Sequence, residues 1–204
     1  MKRLALICIF FAGCIFSTRT PQPPDSATTF IWTPATTPDL LIQNLSGALT
    51  LIDASDYERV FISATESANP SNSEPTFSFT PASDISQSSR GIFADWNVTS
   101  EFNWVTDLHA QVPLNSQIIL QLTDTVIDQS TNSATLSYDY TITMPSSLSS
   151  SVIPSFVQGT LQFQLAFITT DGGTKEWRIV SWSDFVPQSG KGSTWSDLKV
   201  DLSS

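Results

Sequence analysis

The chain has 204 residues, with 9 Lys and Arg against 19 Asp and Glu, a formal charge of −10. Such a balance excludes nucleic acid, which is held by basic stripes that neutralise phosphate, and excludes electrostatic adhesion to anionic lipid. One histidine and two cysteines cannot furnish a conventional zinc site, so no metal and no other cofactor is expected.

Lys2 and Arg3 precede an apolar run from Leu4 to Ala12, which ends in Phe11-Ala12-Gly13-Cys14. A basic n-region, a short hydrophobic h-region and small residues at the cut describe a secretory signal peptide. A cysteine directly after the cut looks like a bacterial lipobox, in which the thiol is diacylated before the leader is removed. Phe11 departs from the leucine usual at its position. The alternatives are an ordinary signal peptide with an incidental cysteine, or an uncleaved anchor. The apolar run is about half the ~20 residues that a spanning helix needs. The sequence is therefore divided into a lipoprotein signal peptide over 1–13, a tether over 14–35 and a single domain over 36–204.

On this reading Cys14 is the lipid attachment site, and the N-terminus meets the membrane through acyl chains. Removal of 1–13 leaves 7 basic and 19 acidic residues. Cys8 departs with the leader, so the mature body has no disulfide, although an exported compartment permits them. The expected location is the bacterial cell envelope. Ile15 stands where an aspartate favours inner-membrane retention in enteric bacteria, so the outer membrane is preferred.

Residues 15–35, with Pro21, Pro23, Pro24 and Pro34, show no sustained apolar period and suit a tether. Phe30, Ile31 and Trp32 interrupt it and are expected to pack back on the domain. Thr37 as cap, Pro38 at the first helical position and Asp39 at the positive end of the dipole predict a helix start. Leu41, Leu45, Ala48, Leu49 and Ile52 fall on one face of it. After a break near Asp53-Ala54, the capping-box spacing of Ser55 and Glu58 predicts a second helix that buries Tyr57, Val60 and Phe61.

From their composition residues 64–75 are expected to form a loop, Phe77 and Phe79 a short strand, and 82–90 a further loop. A third helix starts near Thr99 or Ser100 and ends before Pro113, with Phe102, Val105 and Leu108 or His109 facing in.

The period then changes to two. Ile118 to Thr123, Leu136 to Met144 and Leu161 to Phe167 alternate, and Asp171-Gly172-Gly173 turns the last into Trp177 to Trp182. Four long strands of this kind make one antiparallel sheet with one dry face. Pro145 to Pro154 is a serine-rich connection. Trp195 and Leu198 in the tail are spaced for one helical turn that docks on the domain.

Helices first and then a curved antiparallel sheet is an α+β layout. Leu40 to Phe61 and the ending Trp177-Arg178-Ile179-Val180-Ser181-Trp182-Ser183-Asp184, a W-x-I-x-x-W-x-D pattern, resemble the NTF2-like superfamily of cone-shaped α+β domains. The resemblance covers about residues 36–187, and 62–98 fit it least, being longer and more polar. A lipocalin-like barrel and a β-sandwich are the alternatives.

The resemblance places any site inside the cone. The candidate pocket-lining residues are Trp104, His109, Tyr138, Tyr140 and Asp184. No catalytic residue is assigned: no Gly-x-Ser-x-Gly elbow or phosphate loop is present, and Asp124 and Asp128 lack the oxygen-rich spacing of a calcium loop. The expected function is that of a non-catalytic envelope lipoprotein binding a small apolar ligand or an envelope protein in its cone. The alternatives are an isomerase, dehydratase or hydrolase using Tyr138, Asp184 or His109, and a structural or glycan-binding surface module with exposed tryptophans.

Overall fold

The computed structural model describes residues 30–63, 65–66, 76–148, 153–188, 190 and 192–203. The leader, Cys14 and the tether up to residue 29 lie outside the described residues. No helix among those described is long and apolar enough to cross a membrane.

Helix α1 (Pro38–Leu51) begins as its sequence predicts, with the Thr37 side chain accepting from the Leu40 N–H and Pro38 in the first turn. It stops because Ile52 takes a left-handed conformation at φ 56°, with its N–H bonded back to the helix. Helix α2 (Ala54–Glu58) follows at once, but its cap is Asp53, which accepts from the Asp56 N–H. The expected box on Ser55 does not form, because Asp53 reaches the free N–H groups two residues earlier.

Strand β1 (Ser78–Thr80) precedes a short helix α3 (Gln87–Arg90) and a 3-10 turn over Gly91–Phe93. Helix α3 lies where a loop is expected, and Ser86 caps it by accepting from the Ser89 N–H. Helix α4 (Val98–Gln111) is fixed by a capping box between Asn97 and Ser100.

Strands β2 (Ile119–Gln129), β3 (Ser133–Thr143), β4 (Phe156–Thr169) and β5 (Lys175–Phe185) form the expected antiparallel meander. Strand β1 adds to its edge in parallel with β5, so the order is β1-β5-β4-β3-β2. Register shifts at Thr123/Val126 and at Gln164/Leu165 bend the sheet, as bulges do. The turn at Asp171-Gly172-Gly173 closes with the Gly173 N–H on the Thr170 carbonyl and Gly173 at φ 79°.

One face of the sheet carries Leu136, Tyr138, Tyr140, Leu161, Phe163, Ile179 and Trp182, all buried. Helices α1, α2 and α4 cover it. Helix α5 (Trp195–Leu202), the docked tail, packs against α4 and β4.

Gly159 lies opposite Tyr140 across β3 and β4. A Cβ there would sit 2.6 Å from the Tyr140 hydroxyl and 2.6 Å from the Phe185 carbonyl, which is backbone and cannot swing away. Gly159→Ala should lower stability by about 1–3 kcal/mol in a urea melt. An unchanged midpoint would show that the Phe185 backbone and the Tyr140 ring both shift to admit the methyl group.

Of the segment read as a tether, residues 30–35 lie against the domain, as expected of Phe30 and Trp32, whereas Ile31 is exposed. Ala35 is fully buried and its carbonyl accepts from the Trp177 N–H at 2.7 Å. The buried Asn44 side chain of α1 exchanges two hydrogen bonds with the Thr33 backbone, and Arg59 stacks 4.0 Å above the Trp32 ring. The segment is irregular and is held by contacts distant in sequence.

The same corner contains a buried ionic network. Arg178 pairs with Glu66 at 3.1 Å and with Glu176 at 2.9 Å, and Glu176 also accepts from the Ala35 N–H and the Thr174 hydroxyl. Burial pushes the Glu176 carboxyl up, but the Arg178 hydrogen bond and charge prevail and hold it below its ordinary value. A folded-state value below the unfolded one adds stability above the unfolded pKa, and that stability is lost as pH falls through the folded value. Glu176→Gln should therefore lower the melting temperature at neutral pH and flatten its decline in acid. A parallel acid limb in the two proteins would contradict this.

Candidate functional site: the interior of the cone

The inner end of the sheet and three helices enclose a polar cluster among aromatic rings. Glu101 enters from α4 on the same stripe as Trp104, Val105 and Leu108. Its carboxylate accepts from the Trp96 indole at 2.7 Å, from the Tyr57 hydroxyl at 3.2 Å and from the ammonium of Lys199. Glu101 and Lys199 are both fully buried.

Lys199 projects from α5, where it shares a face with Trp195 and Leu198. Its Nζ lies 3.7 Å from the ring centroids of Phe79 and Trp182 and 5.1 Å from that of Trp96. Burial lowers its pKa to about 8, while Glu101 and Asp184 pull it upward. The Glu101 carboxylate that accepts from it and the surrounding ring faces favour the ammonium form.

Asp184, at the end of β5, organises the second half of the cluster. It accepts from the Tyr140 hydroxyl at 2.8 Å, the Ser196 N–H at 2.8 Å and the Ser196 hydroxyl at 2.6 Å. The Tyr140 oxygen in turn accepts from the Trp195 N–H at 2.6 Å. The first turn of α5 is thus seated on a carboxylate and a phenol, groups that complement the free N–H donors of a helix start. Burial raises the Asp184 carboxyl above its ordinary value, against the Ser196 and Tyr140 hydrogen bonds and the Lys199 charge. Burial and the Glu101 charge raise the Tyr57 phenol well above its own.

The five residues expected to line a pocket are only partly brought together. Tyr140 and Asp184 are bonded to each other, and Trp104 packs 6.3 Å from Trp195, in the same interior. Tyr138 faces inward nearer the rim, beside a surface cleft with Asp39, Gln43 and Leu122. His109 lies off the buried stripe of α4 and is exposed to solvent.

Sequence reasoning missed Glu101, Lys199, Phe79 and Trp96. A signal was present: α4 and α5 each carry one charged residue, of opposite sign, on an otherwise apolar face. Two such residues predict a buried pair, because neither helix can bury its stripe without burying its charge.

The polar atoms here are turned toward one another rather than toward open space. The Trp182 and Trp195 indole N–H groups are exceptions, having no hydrogen-bond partner among the described residues. The clefts described among these residues lie at the surface, and Trp195, Leu198 and Lys199 of the chain itself are buried in the interior, where a ligand is expected. No group of three His, Cys, Asp or Glu residues suited to a metal ion occurs among the described residues.

No family profile and no curated protein sequence matches the chain. Solved structures do. A provisionally named scytalone dehydratase of Novosphingobium aromaticivorans superposes with a TM-score of 0.50 at 9% identity, over 72% of this chain and 78% of that one. The fold is the NTF2-like cone. An NTF2-like superfamily protein of Salmonella enterica is similar over 72% of this chain and 86% of its own, at 15% identity and TM-score 0.48. An NTF2-like protein of unknown function in nutrient uptake from Rhodospirillum rubrum matches over 72% and 96%, at 12% identity and TM-score 0.45. At these identities the likeness concerns the cone and not its chemistry. In this chain α5 supplies groups that occupy the interior of the cone.

Proposed function

We propose that the protein is a non-catalytic lipoprotein of the bacterial cell envelope, anchored by acylated Cys14, with the outer membrane as its site. It acts by presenting its folded surface to an envelope partner. The observation that carries this reading is the filled cone: side chains of α5 occupy the space in which a substrate or apolar ligand would bind. Binding sites are concave and bury most of their ligand, so a cone closed by its own chain moves function to the exterior.

The outer face of the sheet fits that role, being uncovered by the described elements. It carries cross-strand pairs of hydroxyl, amide and carboxylate groups, such as Thr160 with Asp139, Gln162 with Ser137 and Thr141 with Gln121. Ile119, Phe156 and Phe185 are exposed toward one end of it. The tryptophans that a glycan-binding surface would use are largely interior: Trp96, Trp104, Trp177, Trp182 and Trp195 are all buried.

Anchoring is tested by Cys14→Ser in the full chain. The variant should lose labelling by an alkynyl fatty acid and leave the membrane fraction, with the melting temperature of the domain unchanged. Labelling equal to that of the unaltered protein would overturn the lipid assignment. A photo-crosslinking residue in place of Gln162 should give a discrete adduct in cell envelopes, and its absence would remove the partner from this face.

A further inference from the structure

Lys199 is fully buried, yet almost everything that holds its ammonium comes from outside its own helix. Phe79 is on β1, Trp96 precedes α4, and Trp182 is on β5. Their rings stand 3.7, 5.1 and 3.7 Å from Nζ, inside the ~6 Å range of cation–π attraction. Trp104 of α4 adds a fourth ring at 5.8 Å. Glu101 supplies the hydrogen-bonding carboxylate, and Asp184 a second negative charge nearby.

These walls are held by one another. Phe79 packs edge-on to Trp182 at 5.1 Å and against Phe93 at 5.2 Å, and Phe93 packs on Trp96 at 5.1 Å. Glu101 is oriented by Trp96 and Tyr57 independently of Lys199. A buried ion pair is held by its partner charge and by the hydrogen bonds that satisfy both ions, and Glu101 with its donors supplies these. An ordered ring of aromatic faces around the cation is the construction by which proteins recognise organic ammonium groups.

We infer that the interior of this cone is an alkylammonium-binding site, filled in cis by the side chain of Lys199. The chemical class of its ligand is a primary ammonium on a short unbranched alkyl stem. Helix α5 delivers that ligand, and the Asp184 and Tyr140 contacts with its first turn set the depth to which it enters. This inference is independent of anchoring at Cys14 and of any partner on the outer sheet face.

The test uses the full chain with Lys199→Ala, which removes three methylenes and the ammonium, the atoms of n-propylammonium. That ion should raise the melting temperature of the variant saturably, by about 3–6 °C at a tenfold excess over its dissociation constant. It should also change the tryptophan fluorescence. Equimolar 1-propanol with sodium chloride should produce neither effect. Lys199→Met, in which an uncharged chain fills the site, should not respond to n-propylammonium.

Equal effects of n-propylammonium and 1-propanol on Lys199→Ala would overturn the inference. So would an equal n-propylammonium response in Lys199→Met or in the unaltered protein. Should Lys199→Ala not fold in buffer alone, its refolding yield from urea becomes the readout. A yield no higher with n-propylammonium than with 1-propanol would then overturn the inference equally.

Discussion

Asp184→Ala is expected to lower stability by about 3–5 kcal/mol and to release α5 from the sheet. The carboxylate is almost wholly buried and accepts three hydrogen bonds, two from Ser196 and one from Tyr140. Its removal strands those donors in a dry interior, and each unsatisfied group costs about 1–3 kcal/mol. It also takes one of two negative charges from the vicinity of Lys199.

Urea melts measure the total loss. Hydrogen exchange locates it, since amides of Leu198 to Leu202 should exchange much faster while those of β3 and β4 change little. A loss below about 1 kcal/mol, or uniform acceleration across the sheet, would mean that Asp184 does not seat the helix. Asp184→Asn retains the shape and one acceptor oxygen, and should fall between the two.

The second large effect concerns Glu101 and Lys199 as a pair. Lys199→Met leaves the buried carboxylate with its two neutral donors and no cation, and should cost about 3–5 kcal/mol. Glu101→Gln leaves the ammonium with the rings and the more distant Asp184, and should cost a comparable amount. Combining them removes both charges. Because a neutral, well-packed replacement of a buried pair is often close to neutral, the double variant should be more stable than either single one. The coupling energy from the cycle should exceed about 2 kcal/mol. Additivity within about 0.5 kcal/mol would show that the two charges do not depend on each other.

These outcomes bear on how the cone came to be closed. An open cone exposes polar groups to a ligand, whereas here Glu101, Asp184 and Tyr140 are all engaged by the chain's own Lys199, Trp195 and Ser196. The aromatic content is used in the same way. Trp182 touches Phe61, Phe79, Phe163 and Trp195, so its ring joins α5 to the sheet and to the segment after α2.

The elements were legible in proportion to the strength of their local signals. Thr37-Pro38-Asp39 states a helix start in three residues, and the alternation from Leu136 to Met144 states a strand and its buried face. The cap of α2 was misplaced by two residues because Asp53 and Ser55 both offer a capping oxygen, and local sequence does not rank them. The turn over Gln87–Arg90 was missed because it is too short to show a period. The candidate site was half legible: Tyr140 followed from strand alternation and Asp184 from the resemblance of the last strand, but their partner Ser196 is on the tail helix. Glu101 and Lys199 are 98 residues apart, and only the apolar helix faces that carry them mark them as a buried pair.

By itself, then, the sequence determined the α+β class, the order of the longer helices and strands and the inward face of each long strand. All of these are set by interactions within a few residues, where propensity, capping and hydrophobic period act directly. Only the tertiary structure decided what lies inside the cone. Strand β1 joins β5 in parallel, α5 enters between α4 and the sheet, and a lysine ammonium comes to rest among rings from β1, β5 and the loop before α4. The physical reason is that burying a charge is unfavourable for any segment alone and becomes tolerable only where several segments surround it at once.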